Sequence, residues 1–112
     1  MDKIKKYQDI LTNYLREYAK IKPANMPDID SYVIADRDSN QFQLLQTGWQ
    51  GNDYVFTVVF HFIIKDGKVW LHCNITEREV VDTLMEQGVP REDIVLGFRH
   101  PQTRPYTGFA TA

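Results

Sequence analysis

The chain has 112 residues, enough for one domain with one modest core, since folding at this length buries about two-thirds of the surface that an unfolded chain exposes. Its 43% hydrophobic and 25% charged residues are typical of a soluble globular protein, and no apolar run reaches the roughly 18 residues of a membrane span. The formal net charge of −2 gives no global attraction to nucleic acid, so any DNA contact needs a local basic patch or a partner.

The beginning of the chain and its cysteine content bear on the compartment in which the protein is located. The first ten residues, MDKIKKYQDI, are charged and lack the continuous apolar segment of a signal peptide. The single cysteine, Cys73, cannot form an internal disulfide. Both features predict a cytoplasmic protein with no membrane segment.

An amphipathic helix is predicted from about residue 2 to residue 21. Apolar residues recur there at spacings of three and four: Ile4, Tyr7, Leu11, Tyr14, Tyr18 and Ile21. Pro23 and Pro27 then disfavour continuation of the helix. The remaining face is mildly basic and is interpreted as a solvated surface rather than as a nucleic-acid footprint.

Four strands are predicted next, at residues 31–36, 42–49, 54–64 and 68–73. Their connections are short and turn-like, which favours an antiparallel meander.

A second helix follows the strands. Thr76 and Glu79 form a capping box that predicts a helix through about Gln87, closed by Gly88. After a single helical turn, the segment IVLGF is predicted to be extended, either joining the sheet or covering it. The predicted fold is therefore one α+β domain over residues 1–112, with an N-terminal helix, a four-stranded antiparallel meander, a second helix and a short C-terminal extended segment.

The pair Asp66-Gly67 is the strongest short-range hairpin signal in the chain, and a two-residue turn there pairs Lys65 with Lys68. Counting back from the turn predicts further cross-strand pairs: Ile64–Val69, Ile63–Trp70, Phe62–Leu71, His61–His72 and Phe60–Cys73. This register points Cys73 into the core beside Phe60. It also places two imidazoles directly opposite each other on the other face, about 5 Å apart at Cβ.

These two histidines, His61 and His72, raise the alternative of a small metal-dependent hydrolase. A zinc site needs at least three protein ligands, and the spacing supplies no third one, because Cys73 alternates to the opposite face and His100 is far along the chain. There is also no Gly-rich phosphate loop, Cys-x-x-Cys, Ser-x-x-Lys or nucleophile elbow. The protein is therefore predicted to be non-enzymatic, with no catalytic residue, no metal and no cofactor. If a metal were bound, His61 and His72 would be its candidate ligands.

The third strand is predicted to be apolar on both faces. Alternate residues fill one face: Tyr54, Phe56, Val58, Phe60, Phe62 and Ile64. The opposite face carries three more apolar residues: Val55, Val59 and Ile63. Two helices and a partner chain are needed to cover both faces, which predicts a homo-oligomer.

The closing segment, residues 88 to 112, is predicted to be a packed tail with a polar edge. Three aromatic residues are predicted to anchor it on the sheet: Phe98, Tyr106 and Phe109. Three polar residues are predicted to stay near the surface and to form an edge for contact with a partner or DNA: Arg99, His100 and Arg104.

Three segments in this order, HFIIKDGKVWLH, TEREVVDTLMEQGVPREDIVLGF and RPYTGFATA, resemble the XisI-like family, the fdxN element excision controlling factor proteins of cyanobacteria. The resemblance runs nearly end to end and includes the sequence TGW at residues 47 to 49. The ordered combination of hairpin turn, helix start and Gly-Val-Pro segment is far more specific than any of its parts.

The resemblance implies an accessory factor in the programmed excision of the fdxN DNA element during heterocyst differentiation, where the recombinase is a separate protein. It implies a nuclease-related XisH-type companion as partner, with DNA contacted indirectly. It supplies no established catalytic residues. A direct DNA-binding factor, using the basic faces of the first helix and the tail, remains an alternative, as does the metal-dependent hydrolase.

Overall fold

A computed structural model of the protein describes residues 2–21, 27–74 and 80–112 and has an α+β fold. Helix α1, Lys3–Ala19, begins where the carboxylate of Asp2 accepts hydrogen bonds from the backbone N–H groups of Ile4 and Lys5. One stripe of the helix is buried: Tyr7, Ile10, Leu11, Thr12 and Leu15. The predicted N-terminal helix is confirmed.

Five strands form a single sheet in chain order: β1 (Ile29–Asp36), β2 (Gln41–Gln50), β3 (Asp53–Lys65), β4 (Lys68–Asn74) and β5 (Ile94–Leu96). The first four pair antiparallel, which confirms the predicted meander. The fifth pairs in parallel with β4. The predicted extended segment therefore joins the sheet, which is one of the two alternatives that the sequence left open. It adds a fifth strand to the four predicted, because three residues are too few to show a periodicity.

Helix α2, Val80–Glu86, buries Val80 and Leu84. Its predicted capping box, Thr76 and Glu79, lies outside the described residues. Gly88 ends the helix as predicted, with a positive φ of 116° that an L side chain rarely adopts. Among the residues described, no helix combines the length and the apolar character that a membrane span requires.

The two helices contribute to one apolar core against what we call the helix face of the sheet. The side chains of that face come from three central strands: Phe42, Leu44, Phe60, Phe62, Ile64, Val69 and Leu71. From α1, the rings of Tyr14 and Tyr18 meet Phe60 edge-on, with centroids 5.7 and 4.8 Å from its own. Removing a buried ring of this kind costs about 3 to 5 kcal/mol, so this cluster is a main source of stability.

The turn between β3 and β4 is the one that the sequence predicts. Asp66 and Gly67 both have positive φ, 54° and 75°, as a two-residue hairpin turn requires. The first four predicted pairs beyond it are confirmed: Lys65–Lys68, Ile64–Val69, Ile63–Trp70 and Phe62–Leu71.

A β-bulge on β4 overturns the rest of the predicted register. Beyond Phe62 the pairing shifts, so that His61 lies opposite Cys73 and Phe60 lies opposite Asn74. The predicted pairs His61–His72 and Phe60–Cys73 are therefore wrong, and His72 is the extra, unpaired residue of the bulge. A hairpin turn fixes the register only as far as the first bulge.

A second bulge, on β3, changes which face the side chains occupy. Leu44 pairs with Phe60 and the next residue, Leu45, pairs with Val58, so that Val59 is the extra residue. Adjacent residues of β2 point to opposite faces, and Phe60 and Val58 must therefore do so as well. Val59 itself is buried in the core.

The predicted apolar face of β3 is therefore divided between the two sides of the sheet. Phe60, Phe62 and Ile64 are buried under the helices. Tyr54 and Phe56 lie on the opposite side, with 57% and 66% of their surface exposed. The prediction that every second residue from Tyr54 shares one face is wrong, because strict alternation fails at a bulge.

Candidate functional site

The side of the sheet away from the helices carries large exposed apolar side chains on β1, β2 and β3. We call this set the open face: Tyr32, Ile34, Trp49, Tyr54 and Phe56. Each has between 46% and 66% of its surface exposed. With about 150 to 250 Å² for each aromatic side chain, the exposed parts of its four rings amount to on the order of 500 Å². Isolated exposed apolar residues are ordinary, whereas a patch of about 500 Å² is in the range of the largest apolar patches on soluble monomers, which are often functional.

The strand register makes the open face continuous. Trp49 lies opposite Tyr54, and their rings are 5.2 Å apart at an angle of 60°. Phe56 lies opposite Thr47, two residues along β3 from Tyr54. Tyr32 extends the patch to β1 through its pairing with the neighbouring strand. The rings of Trp49, Tyr54 and Phe56 therefore lie together, and Leu45 lies between Tyr32 and β3.

The segment that forms the open face is acidic. Residues 27–64 contain no lysine, one arginine and five aspartates: Asp28, Asp30, Asp36, Asp38 and Asp53. The arginine, Arg37, pairs with Asp9 of α1 at 2.9 Å. Hydrogen bonds from the side chain and backbone of Ser39 and from the backbone of Asp38 lower the pKa of Asp36, which keeps that carboxylate ionised. The open face is thus an aromatic patch bordered by negative charge.

The two histidines lie near each other on the same side of the sheet despite the bulge. Their ring centroids are 6.3 Å apart. The Nδ1 of His61 lies 2.9 Å from the Oε1 of Gln43, to which it donates, and His72 stacks on Trp70 with centroids 5.9 Å apart. The cluster is therefore held by hydrogen bonding and ring stacking.

The electrostatics of this pair disfavour a cation. Burial lowers the pKa of His61. Burial, followed by the positive charges of His61, Arg104 and Lys65, lowers the pKa of His72. Within the described ranges, no three His, Cys, Asp or Glu side chains are grouped so that they could hold a metal ion. A metal ion bound here would meet two cationic side chains and no carboxylate ligand.

Cys73 is not where the sequence placed it. It lies opposite His61, is only partly buried and does not belong to the core cluster. Its Sγ donates weakly to the carbonyl of Val58 at 3.4 Å. The prediction that Cys73 points into the core beside Phe60 is wrong, because the bulge at His72 moves it to the other side of the sheet.

Of the three predicted polar residues of the tail, Arg104 has an anchoring role. Its guanidinium carbon lies 5.1 Å from the centroid of the Trp70 ring. Its three nitrogens donate to the carbonyls of Arg99, Thr111 and Gly97, at 3.1 to 3.4 Å. Arg99 and His100 are exposed, as predicted. Arg104 and Arg99 are neighbours, but the guanidinium of Arg104 faces the protein and not a partner.

The predicted aromatic anchors of the tail are partly wrong. Phe109 packs against the core, beneath the guanidinium of Arg91 at 5.2 Å, as predicted. Phe98 and Tyr106 are 48% and 89% exposed and do not belong to the core cluster. The next residue after Phe109, Ala110, instead donates its N–H to the sheet and bridges to Val95. The tail therefore covers the β4–β5 end of the sheet and leaves β1 to β3 open.

One other titratable cluster joins α1 to the turn before β5. The hydroxyl of Tyr7 donates to Asp93 at 2.5 Å, and the ammonium of Lys3 lies 2.9 Å from the same carboxylate. Burial, this hydrogen bond and the nearby negative charges raise the pKa of Tyr7 well above its ordinary value. Burial opposes ionisation of Asp93, but the bonds from Tyr7 and Lys3 outweigh it and lower its pKa. The cluster is a structural tether between α1 and the turn before β5, and it engages Lys3 of α1.

Comparison with known proteins supplies a family. The sequence matches the family model described as XisI protein over residues 1–111. The crystal structure of a XisI-like protein from Anabaena variabilis ATCC 29413 is 40% identical, with 97% of this chain and 99% of that chain covered and a TM-score of 0.88. The crystal structure of the fdxN element excision controlling factor XisI from the same organism is 31% identical, with 99% and 100% covered and a TM-score of 0.84. No protein of curated function matches the sequence.

Proposed function

Because the chain belongs to the XisI family, we propose that it is a controlling factor for excision of the fdxN element, active during heterocyst differentiation. The observation that carries the proposal is the match to the fdxN element excision controlling factor XisI, which extends over 99% of this chain and 100% of that chain. The whole domain is therefore shared, including the sheet that bears the open face.

The role that we propose is non-enzymatic. Nucleophilic catalysis needs an activated side chain beside a positioned base. Here the Sγ of Cys73 is directed at a backbone carbonyl, and Tyr7 and Asp93 satisfy each other. His61 is held by Gln43 and His72 by ring stacking. These contacts support a protein that works by binding.

The partner that we propose is a nuclease-related protein of the XisH type, with DNA handled by that partner and by the recombinase. Two features of this chain support indirect contact with DNA. The segment of residues 27–64 has five carboxylates against one arginine. On the basic helix, Lys3 and Lys20 are paired with Asp93 and Glu17. Each of these pairings engages a cation that could otherwise neutralise a phosphate.

The proposal is tested by co-expressing this protein with an XisH-type companion and capturing it through a tag. The expected result is a stoichiometric complex that persists as the salt concentration is raised from about 50 to 200 mM, a range over which phosphate contacts weaken steeply. The isolated protein should bind fdxN-element DNA weakly. Failure to recover the companion, together with tight DNA binding that falls steeply with salt, would instead support the direct DNA-binding alternative.

A further inference from the structure

The size and composition of the open face are those of a surface that binds a partner. Its exposed aromatic surface, on the order of 500 Å², is a large share of the roughly 800 Å² that each partner contributes to a standard protein interface. Trp49, Tyr54 and Phe56 are also of the residue types that carry most of the binding energy in such interfaces. On the same side of the sheet, the tail lies over β4 through Arg104 and Trp70, and Ala110 pairs beside β5 at the edge.

The negative charge around the open face indicates which kind of partner can bind there. Asp30 and Asp36 lie on the same side of β1 as Tyr32, because residues two apart in a strand share a face. The side chains of Asp30 and Asp36 are both exposed. A nucleic acid would therefore bring phosphates towards carboxylates, which is electrostatically unfavourable.

A second copy of the chain suits this surface poorly for the same reason. Two copies stacked through the open face would place one acidic border against another. Two β1 edges paired antiparallel about Val33 would set Asp30 opposite Asp36 of the other copy, and like charges directly opposite destabilise a strand pair. The homo-oligomer predicted from the sequence stays a prediction, and the open face is a poor surface for it.

We propose that the open face docks on a protein partner whose surface has an apolar centre bordered by lysine and arginine. This inference rests on the proposed function, because a partner that handles DNA carries such a basic surface. The aromatic rings supply buried area, and the carboxylates at Asp30 and Asp36 complement the basic border. Docking there places this chain over the cationic surface of its partner, where it competes with DNA.

The test uses the purified XisH-type companion and four variants of the full chain. Phe56→Ser removes a ring of the open face, and Tyr106→Ser removes a ring that is 89% exposed on the tail and serves as its control. Asp30→Lys reverses a charge at the border. Asp82→Lys makes the same change in net charge on the exposed side of α2 and serves as its control. All four changed side chains are exposed, so the thermal unfolding midpoint should hardly change, and it is measured for each.

Titration of the companion with each protein then gives the dissociation constant. We expect Phe56→Ser and Asp30→Lys to raise it about tenfold or more, and the two controls to change it less than about twofold. Competition with DNA for the companion should weaken in parallel. A complex that forms equally well with Phe56→Ser and Asp30→Lys would overturn this inference and leave the proposed partner in place. Absence of any complex with the wild-type chain would overturn both.

Sedimentation of the wild-type chain alone tests whether a second copy of the chain binds to the open face. We expect the mass of a monomer at the protein concentrations and in the buffer in which the chain binds the companion. Self-association that Phe56→Ser abolishes and Tyr106→Ser leaves intact would assign the open face to a second copy, and would overturn the inference.

Discussion

The guanidinium of Arg104 lies over the indole of Trp70, with its central carbon 5.1 Å from the ring centroid. The ammonium of Lys65 lies 5.4 Å from the same centroid. Two cations therefore contact one ring, and that of Arg104 belongs to the tail. This contact, together with Ala110 and Phe109, holds the tail on β4 and β5.

Arg104→Ala should loosen the tail. The change removes the contact with Trp70 and three hydrogen bonds to backbone carbonyls, and we expect it to lower the free energy of unfolding by about 1 to 2 kcal/mol. Hydrogen exchange should rise in residues 97–112. Arg99→Ala, an exposed neighbour, is the control, with an expected change within about 0.5 kcal/mol. Equal effects of the two substitutions would contradict the anchoring role.

Gly48→Ala should be strongly destabilising. Gly48 has a φ of 145°, and a Cβ there would lie 2.3 Å from the carbonyl oxygen of Asp28, an approach that requires the backbone to shift. We expect a loss of roughly 3 kcal/mol in urea unfolding. Gly51→Ala is the matched control, because Gly51 also has a positive φ, 62°, but open space around its Cβ position. Its expected cost is about 1 kcal/mol, from backbone strain alone.

Stability should fall as the pH is lowered through the range in which histidine titrates. The pKa values of His61 and His72 are lowered in the folded protein, so the unfolded chain binds more protons between those values and the ordinary 6.5. The stabilisation is fully present above pH about 6.5 and is lost as the pH falls through the folded pKa values. The urea midpoint, measured in steps from neutral to mildly acid pH, checks this.

His72→Gln separates the histidine cluster from other titrating groups. It removes the proton uptake at His72 while keeping a polar side chain, so the fall of the urea midpoint with pH should become shallower. Gln102→Asn, at an exposed tail position without a titratable group, should leave the slope as in the wild-type chain. A midpoint that rises as the pH falls in this range would refute the assignment of neutral imidazoles.

Tyr7→Phe should weaken the tether between α1 and the turn before β5. The ring still fills its place in the core, but Asp93 loses the hydrogen bond from the hydroxyl. A hydrogen bond to a charged group contributes about 1.5 to 3 kcal/mol, and we expect a loss of about 2 kcal/mol in urea unfolding. Tyr32→Phe, on the open face, is the control and should change stability by less than about 0.5 kcal/mol. A Tyr7→Phe protein as stable as the wild type would show that the bond contributes nothing.

Local chemistry was enough to predict much of the fold. The spacing of Tyr7 and Leu11 indicated the first helix, and the pair Asp66-Gly67 indicated the hairpin and its first pairs. These features depend on neighbours in sequence, namely helical periodicity and the positive φ of a tight turn. They require no knowledge of what covers the sheet.

The bulges at Val59 and His72 could not be predicted in this way. Each bulge is one extra residue among residues of good strand propensity. Its position depends on what packs against each face of the sheet and not on local composition. The candidate surface depends on them, because the bulge at Val59 transfers Tyr54 and Phe56 from the expected core side to the open face. The lack of lysine over residues 27–64 was the available signal that this part of the sheet has a distinct surface.

The tail shows the same limitation. Counting its aromatic residues suggested Phe98 and Tyr106 as anchors, but both are exposed and Arg104 performs that role with Trp70. An arginine that stacks on a ring from another part of the chain leaves no local pattern. The resemblance to a family, which draws on the whole sequence, identified the protein class more securely than any single residue did.

The most direct test of the central proposal is an excision assay on a plasmid that carries the ends of the fdxN element. The recombinase is supplied, and this chain and the XisH-type companion are added separately and together while the excised fraction is measured. We expect this chain to change the excised fraction only when the companion is present, and the His61→Gln, His72→Gln double variant to act like the wild type. Cleavage of the DNA by this chain alone, or an excised fraction that is the same with and without it, would contradict a controlling factor that acts through a partner.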